Sequence, residues 1–97
     1  MSAYVYILKC SDDSYYTGST CDLDRRFYEH QEGLGQGAYT KSRRPVKLVF
    51  AEEFENIIDA ATAEKQIKGW RRAKKEALIR GDFDLLIALA TRYKLNR

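Results

Sequence analysis

The stretch Ala3 to Cys10, AYVYILKC, narrows the possible folds more than any other part of the chain. Tyr4, Tyr6 and Leu8 fall on one parity and Val5 and Ile7 on the other. Successive side chains of a strand point to opposite faces, so this strand is apolar on both. Such a strand needs cover above and below, which predicts a central place in a small sheet. A chain of 97 residues has room for one domain, expected over 1–97, and buries about two-thirds of its unfolded surface. Any functional group in it must also serve the packing.

The rest of the chain supplies the cover. Ser11-Asp12-Asp13 reads as a turn and Ser14 to Gly18 as the returning strand of a hairpin. Asp22 is a good N-cap for a helix from about Leu23 to Glu32, stopped by Gly33, with Leu23, Phe27, His30 and Leu34 as its inward stripe. The next stretch, GLGQGAYTKSRRP, is rich in glycine and basic residues and predicts an irregular loop. Val46 to Phe54 predicts a third strand. Ile57 to Lys68 predicts a helix with Ile57, Ala60, Ala61, Glu64 and Ile67 on one side. Gly69 interrupts, and Arg71 to Arg80 makes the next helix, ended by Gly81. Asp82 opens a last helix over about 82–95, with Phe83, Leu86, Ile87, Leu89 and Ala90 available for packing. The expected order is ββαβααα: an α+β fold with a small three-stranded antiparallel sheet flanked by helices.

Composition closes off several function classes. Apolar residues make up 44% and charged residues 32% of the chain, as in a globular protein. There is no apolar run of the roughly 18 residues needed to span a bilayer. The opening MSAYVYILKC has neither a basic n-region nor a cleavage site, so a cytoplasmic protein with no membrane role is expected. Cys10 and Cys21 have no His at zinc-finger spacing and are expected as free thiols. The chain has 1 histidine, which excludes centres built on several imidazoles.

The net charge of +3 is unevenly spread. Lys41, Arg43, Arg44 and Lys47 stand in a stretch without acids. Glu52, Glu53, Glu55, Asp59 and Glu64 follow with no base between them, and then Lys65, Lys68, Arg71, Arg72, Lys74, Lys75 and Arg80 face Glu76 alone. Folded onto one face, the two basic blocks would bind phosphates; apart, they are solvated helix surface.

Three features do not fit a purely structural role. Glu64 lies on the apolar side of its helix, where a carboxylate needs a partner such as Arg26 or a metal. Arg26 and His30 stand one turn apart beside Leu23 and Phe27, and a guanidinium there suits bidentate phosphate contact. Tyr6 and Tyr16 sit on strands joined by a short turn, so equal parity would bring both hydroxyls to one sheet face. Each also has an ordinary reading: core tyrosines, a packed histidine, an ion pair. Together they offer phenols, a cation, an imidazole and an acid without a serine or cysteine nucleophile. That set suits phosphodiester hydrolysis with one Mg2+ on a carboxylate oxygen and an arginine on the phosphoryl charge. A phenol serves as base there only if positive charge lowers its pKa from about 10.

Tyr4-Val5-Tyr6, followed by Tyr16-Thr17-Gly18, resembles the paired signature of the GIY-YIG nuclease superfamily, with Arg26, His30 and Glu64 in the order that family uses. More narrowly, LKCSDDSYYTGST, DLDRRFYEH, GAYTKSRRPVKLVF and the basic stretch from Trp70 to Lys75 resemble its small stand-alone bacterial UPF0213 group. The resemblance covers a core of about 3–80. It departs at Tyr4, where the signature has glycine, at Thr17, where it has isoleucine, and in having no clear counterpart of the downstream asparagine found in several members.

The resemblance implies a metal-dependent endonuclease acting on nucleic acid, DNA first, in repair or processing. Tyr6 would be the base or water-orienting phenol, Tyr16 would position substrate or metal-bound water, and Gly18 would let a backbone come close. Arg26 would clamp phosphate, His30 would assist proton transfer, and Glu64 would hold the metal, expected as Mg2+. Lys41, Arg43, Arg44, Lys68, Arg71 and Arg72 are the expected phosphate contacts, with Tyr39 or Trp70 able to stack on an unpaired base. A lone module of this kind is expected to bind weakly, with a steep dependence on salt. Two other readings stay open: a nucleic-acid-binding module with little turnover, and a protein-interaction domain using its last helix.

Overall fold

Strand β1 (Ala3–Lys9) lies between β2 (Tyr15–Thr20) and β3 (Lys47–Phe54) and pairs antiparallel with both, the central place its two apolar faces require. The computed structural model describes residues 2–35 and 38–95. The other elements are α1 (Leu23–Glu32), α2 (Ala38–Lys41), α3 (Ile57–Lys68), α4 (Arg72–Arg80) and α5 (Phe83–Leu95). The class is the expected α+β, with a three-stranded antiparallel sheet flanked by helices.

The pleat of β1 sorts the core into two layers. On one face Tyr6 and Leu8 pack with Cys10, Val46, Tyr16 and Leu48, and with Leu23 and Phe27 of α1. On the other, Val5 and Ile7 pack with Ala63 and Ile67 of α3, Trp70, and Leu78 and Ile79 of α4. The hairpin register sets Tyr6 opposite Gly18, Leu8 opposite Tyr16 and Val5 opposite Ser19. Tyr6, Tyr16 and Gly18 therefore share the α1 face, while Ser19 shares the α3 face. The helices start where hydrogen-bonding caps allow: Asp22 accepts from the Arg25 amide, and Asn56 accepts from the Asp59 amide at 2.9 Å.

Several expectations need correction. The glycine-rich stretch is not irregular throughout, because Ala38–Lys41 forms one turn of helix; its Gln36 and Gly37 lie outside the described residues. Strand β2 runs past Gly18 to Thr20, which places Ser19 on the sheet. Leu34 is half-exposed rather than inward. On α3 the buried residues are Ala60 and Ile67, while Ile57 and Ala61 face solvent. Phe83 and Ile87 of α5 are each 63% exposed, so those apolar residues are not packed as expected. Trp70 is half-buried in the second layer with Lys74 Nζ 4.2 Å from its ring centroid, a core anchor rather than an open stacking platform. No helix among the described residues is long and apolar enough to cross a membrane.

Candidate active site

The site is built around the hydroxyl of Tyr6. Its side chain projects from the centre of β1 and is 1% exposed, and its Oη lies 2.9 Å from His30 Nε2. His30 stands in the last turn of α1, also 1% exposed. Its Nδ1 is 2.7 Å from Oγ1 of Thr40, fully buried on α2. Strand, long helix and short helix thus each contribute one member of a buried polar line. Buried polar groups must be hydrogen-bonded, so the line also helps hold α1 and α2 in place.

Tyr16 packs beside this line. Its ring centroid is 4.9 Å from that of His30, 6.3 Å from that of Tyr6 and 6.0 Å from that of Tyr39, the last pair stacked. The room for Tyr6 comes from Gly18. A Cβ there would sit 2.6 Å from Tyr6 Oη and 2.7 Å from Tyr6 Cζ, closer than any side chain can approach. Gly18 is buried beneath the phenol and is not a point of backbone approach for nucleic acid. The reason for glycine is the neighbour, not the ligand.

Arg26 lies one turn before His30 on α1, with its side chain 22% exposed and its Nη1 3.1 Å from Glu29 Oε1. The Arg26, Arg25 and Glu29 side chains border an open cleft together with Thr20, Cys21 and Asp22. The Arg26 guanidinium acts on the Tyr6 phenol and pulls its pKa down. Burial outweighs it, and the neighbouring Tyr16 phenol adds to the rise, so the Tyr6 pKa lies well above its ordinary value. The expected lowering does not occur within the protein's own groups. Burial, followed by the Arg26 charge, pushes the His30 pKa down from 6.5 to about 4, leaving a neutral imidazole at neutral pH.

Glu64 comes from α3, on the opposite sheet face, and meets the site at the free edge of β2. Ser19 Oγ donates to its Oε1 at 2.5 Å, and Lys68 Nζ lies 2.6 Å from its Oε2. Ser19 is next to Gly18, and the Glu64 charge is close enough to push the Tyr6 pKa up. The carboxylate is 21% exposed, and its partner is Lys68, not Arg26. Among the described residues no group of three or more His, Cys, Asp or Glu is placed to hold a metal. A single, partly exposed carboxylate at a strand edge fits a hard divalent cation that keeps its waters and takes substrate phosphate oxygens as its other ligands.

The two basic blocks meet at the β1–β2 turn, where Arg43 and Arg72 are engaged within the protein. Arg43 Nε lies 3.0 Å from Asp12 Oδ2 and the guanidinium stacks on Tyr39, 4.0 Å from its centroid. Tyr39 thus packs against both Tyr16 and Arg43 while staying 40% exposed. Arg44 Nε donates to the Lys41 carbonyl at 2.9 Å. From the other side of the sheet Arg72 Nη1 donates to the Asp13 carbonyl at 2.7 Å, its Nε lies 3.2 Å from Glu76 Oε2, and its guanidinium stacks on Tyr15. Arg43 and Arg72 thus grip the β1–β2 turn from opposite faces, and Lys68 is engaged by Glu64. Of the expected phosphate contacts, Lys41, Arg44 and Arg71 are exposed and make no ion pair among the described residues, Arg44 being held by backbone carbonyls. Sequence reasoning missed Thr40 and Ser19, whose hydroxyls carry no spacing signal.

The family model of the GIY-YIG catalytic domain matches residues 2–77. A UPF0213 protein of Syntrophus aciditrophicus is 48% identical over 77 residues, covering 79% of this chain and 88% of that protein. A UPF0213 protein of Clostridium perfringens is 50% identical over 76 residues, covering 78% and 81%. The solution NMR structure of a UPF0213 protein from Bacillus halodurans superposes with a TM-score of 0.54 at 44% identity, over 82% of this chain and 84% of that one. The protein EF2693 from E. faecalis, also solved by NMR, gives 0.58 at 37% identity over 88% of each chain. With its paired tyrosine strands, its Arg26–His30 helix and a match over most of its length, the chain belongs to the GIY-YIG nuclease-domain family, among the UPF0213 proteins.

Proposed function

We propose that the protein is a metal-dependent endonuclease that hydrolyses phosphodiester bonds of DNA in the cytoplasm, in repair or processing, using one Mg2+ at Glu64. The observation that supports this most is the convergence on one phenol: Tyr6 Oη bonded to His30, under the charge of Arg26, with the Glu64 carboxylate at the adjoining strand edge. Arg26 leaves Glu29 for the phosphate and opposes the charge that builds on the phosphoryl oxygens. Because burial keeps Tyr6 protonated, it works as a relay: it takes a proton from water as its own passes to His30 Nε2. Tyr16, half-buried beside it, orients the substrate. Bound Mg2+ supplies Lewis-acid polarisation of the phosphate and stabilises the leaving oxygen.

A second reading, a nucleic-acid-binding module with little turnover, is favoured by the ion pair of Lys68 with Glu64, which a metal must displace. Purified protein incubated with branched, single-stranded and duplex DNA, with Mg2+ or EDTA, separates the two. The endonuclease reading predicts cleavage that needs Mg2+ and is lost in Glu64→Ala and Arg26→Ala. Binding without cleavage supports the second reading, and cleavage that persists in both variants identifies a contaminant.

A further inference from the structure

Three groups buried in a row, Tyr6, His30 and Thr40, are linked by contacts of 2.9 and 2.7 Å. A neutral imidazole carries one ring proton, so the line can run in two directions. Either Nδ1–H donates to Thr40 and Nε2 accepts from Tyr6, or both bonds reverse. The chemistry of the two hydroxyls decides between them. Both lie against the same buried ring, Tyr6 Oη 2.9 Å from Nε2 and Thr40 Oγ1 2.7 Å from Nδ1. A phenol is the stronger donor and an alcohol oxygen the better acceptor, so the Tyr6 O–H goes to Nε2 and Nδ1–H goes to Thr40.

We infer that Thr40 is a positioning residue: its Oγ1 accepts the Nδ1 proton of His30 and so keeps Nε2 free to accept the proton of Tyr6. The inference rests on the endonuclease reading for its role in the reaction. The tautomer itself depends only on the fold. With the Tyr6 O–H turned to His30, a lone pair of the phenolic oxygen is left to take a proton. As the water oxygen forms its bond to phosphorus, a water O–H bond breaks toward that lone pair, the inward Tyr6 O–H breaks, and a proton forms its bond to Nε2. The bond from phosphorus to the leaving oxygen then breaks, and that oxygen takes a proton from solvent. His30 becomes imidazolium, with its Nδ1–H still held on Thr40.

The element that carries Thr40 is fixed independently of this line. Tyr39, its neighbour on α2, stacks on Tyr16 and is covered by Arg43, which is itself tied to Asp12. Thr40 is thereby presented to His30 by packing, as a preorganised site requires.

Nitrogen-15 NMR of the His30 ring tests the inference directly, with Thr40→Val and Thr40→Ser beside the wild type. The expected wild-type pattern at neutral pH is a protonated, pyrrole-type Nδ1 and a bare, pyridine-type Nε2. Thr40→Val loses that preference and Thr40→Ser keeps it. In cleavage assays Thr40→Val lowers kcat about 10- to 100-fold with KM unchanged, the scale known for partners that orient metal-bound histidines, and Thr40→Ser restores it. A wild-type ring protonated on Nε2, or a Thr40→Val ring with an unchanged tautomer, overturns the inference. So does full activity in a Thr40→Val protein whose tautomer has switched. If Thr40→Val does not fold, the wild-type and Thr40→Ser spectra decide the tautomer. If no DNA is cleaved under any condition, the endonuclease reading fails, and the spectra still decide what Thr40 does to His30.

Discussion

At the scale of single residues, the site works by holding groups where their ordinary chemistry is altered. Gly18 is the simplest case. Gly18→Ala drives a methyl group into the Tyr6 phenol, whose buried ring has no free space to retreat into. Overpacking of this kind costs about 1–3 kcal/mol. Denaturant unfolding should show that loss, with a matching fall in cleavage; a Gly18→Ala protein as stable and active as the wild type would refute the account of this glycine. His30 gives a pH signature. Its folded pKa is depressed from 6.5 to about 4, so the unfolded chain takes up the proton first as the pH drops. The stability it contributes is complete above pH 6.5 and is lost between 6.5 and 4, by up to about 3 kcal/mol at 1.36 kcal/mol per pH unit. Unfolding free energies measured against His30→Gln should show that difference opening across the same window and constant above it. A difference that stays flat throughout contradicts a buried neutral ring.

At the scale of elements, Arg43, Arg44 and Arg72 fasten parts of the fold to one another. Arg44 donates to the Lys41 carbonyl of α2 and to the Gln31 carbonyl of α1 and so ties the two helices, whereas Lys41 and Arg71 are exposed. Arg44→Ala should therefore lower stability by about 1 kcal/mol, the scale of a lost hydrogen bond, while leaving the salt dependence of DNA binding unchanged. Lys41→Ala and Arg71→Ala should each reduce the slope of log affinity against log salt by about one and leave unfolding untouched. The reverse pattern would return Arg44 to the phosphate surface. What was legible here followed periodicity. The apolar parities of AYVYILKC placed β1 at the centre, Asp22 and Gly33 bounded α1, and the four-residue step from Arg26 to His30 put both on one helix flank. The single turn of α2 was not legible, because a four-residue helix has no period to display, and its Gly-rich flanks read as loop. Thr40 was lost with it. The charge blocks were legible as blocks but not as partners, since which acid meets which base depends on how the two helical layers close around the hairpin turn.

At the scale of the molecule, one hairpin lets opposite layers of the protein share a centre. The α1–α2 layer brings the cation, the imidazole and the hydroxyl, and the α3–α4 layer brings the carboxylate. They meet only because β2 is an edge strand, with Gly18 facing one layer and Ser19 the other. The tyrosine, arginine and histidine positions were readable from the signature spacing, while the meeting at the β2 edge required the register of the hairpin. The arrangement also explains how so small a fold can hold His30 and Thr40 in its interior: the imidazole is tied to β1 and α2 at once, so the site and the packing are the same structure. The central claim is that a divalent cation on Glu64 sits beside the tyrosine pair. Mn2+ titration followed by NMR tests it most directly, because a paramagnetic ion broadens only nearby signals. The predicted result is broadening centred on Glu64, Gly18, Ser19 and Tyr6, abolished in Glu64→Gln. Broadening confined to another part of the molecule, or unchanged in Glu64→Gln, would contradict it.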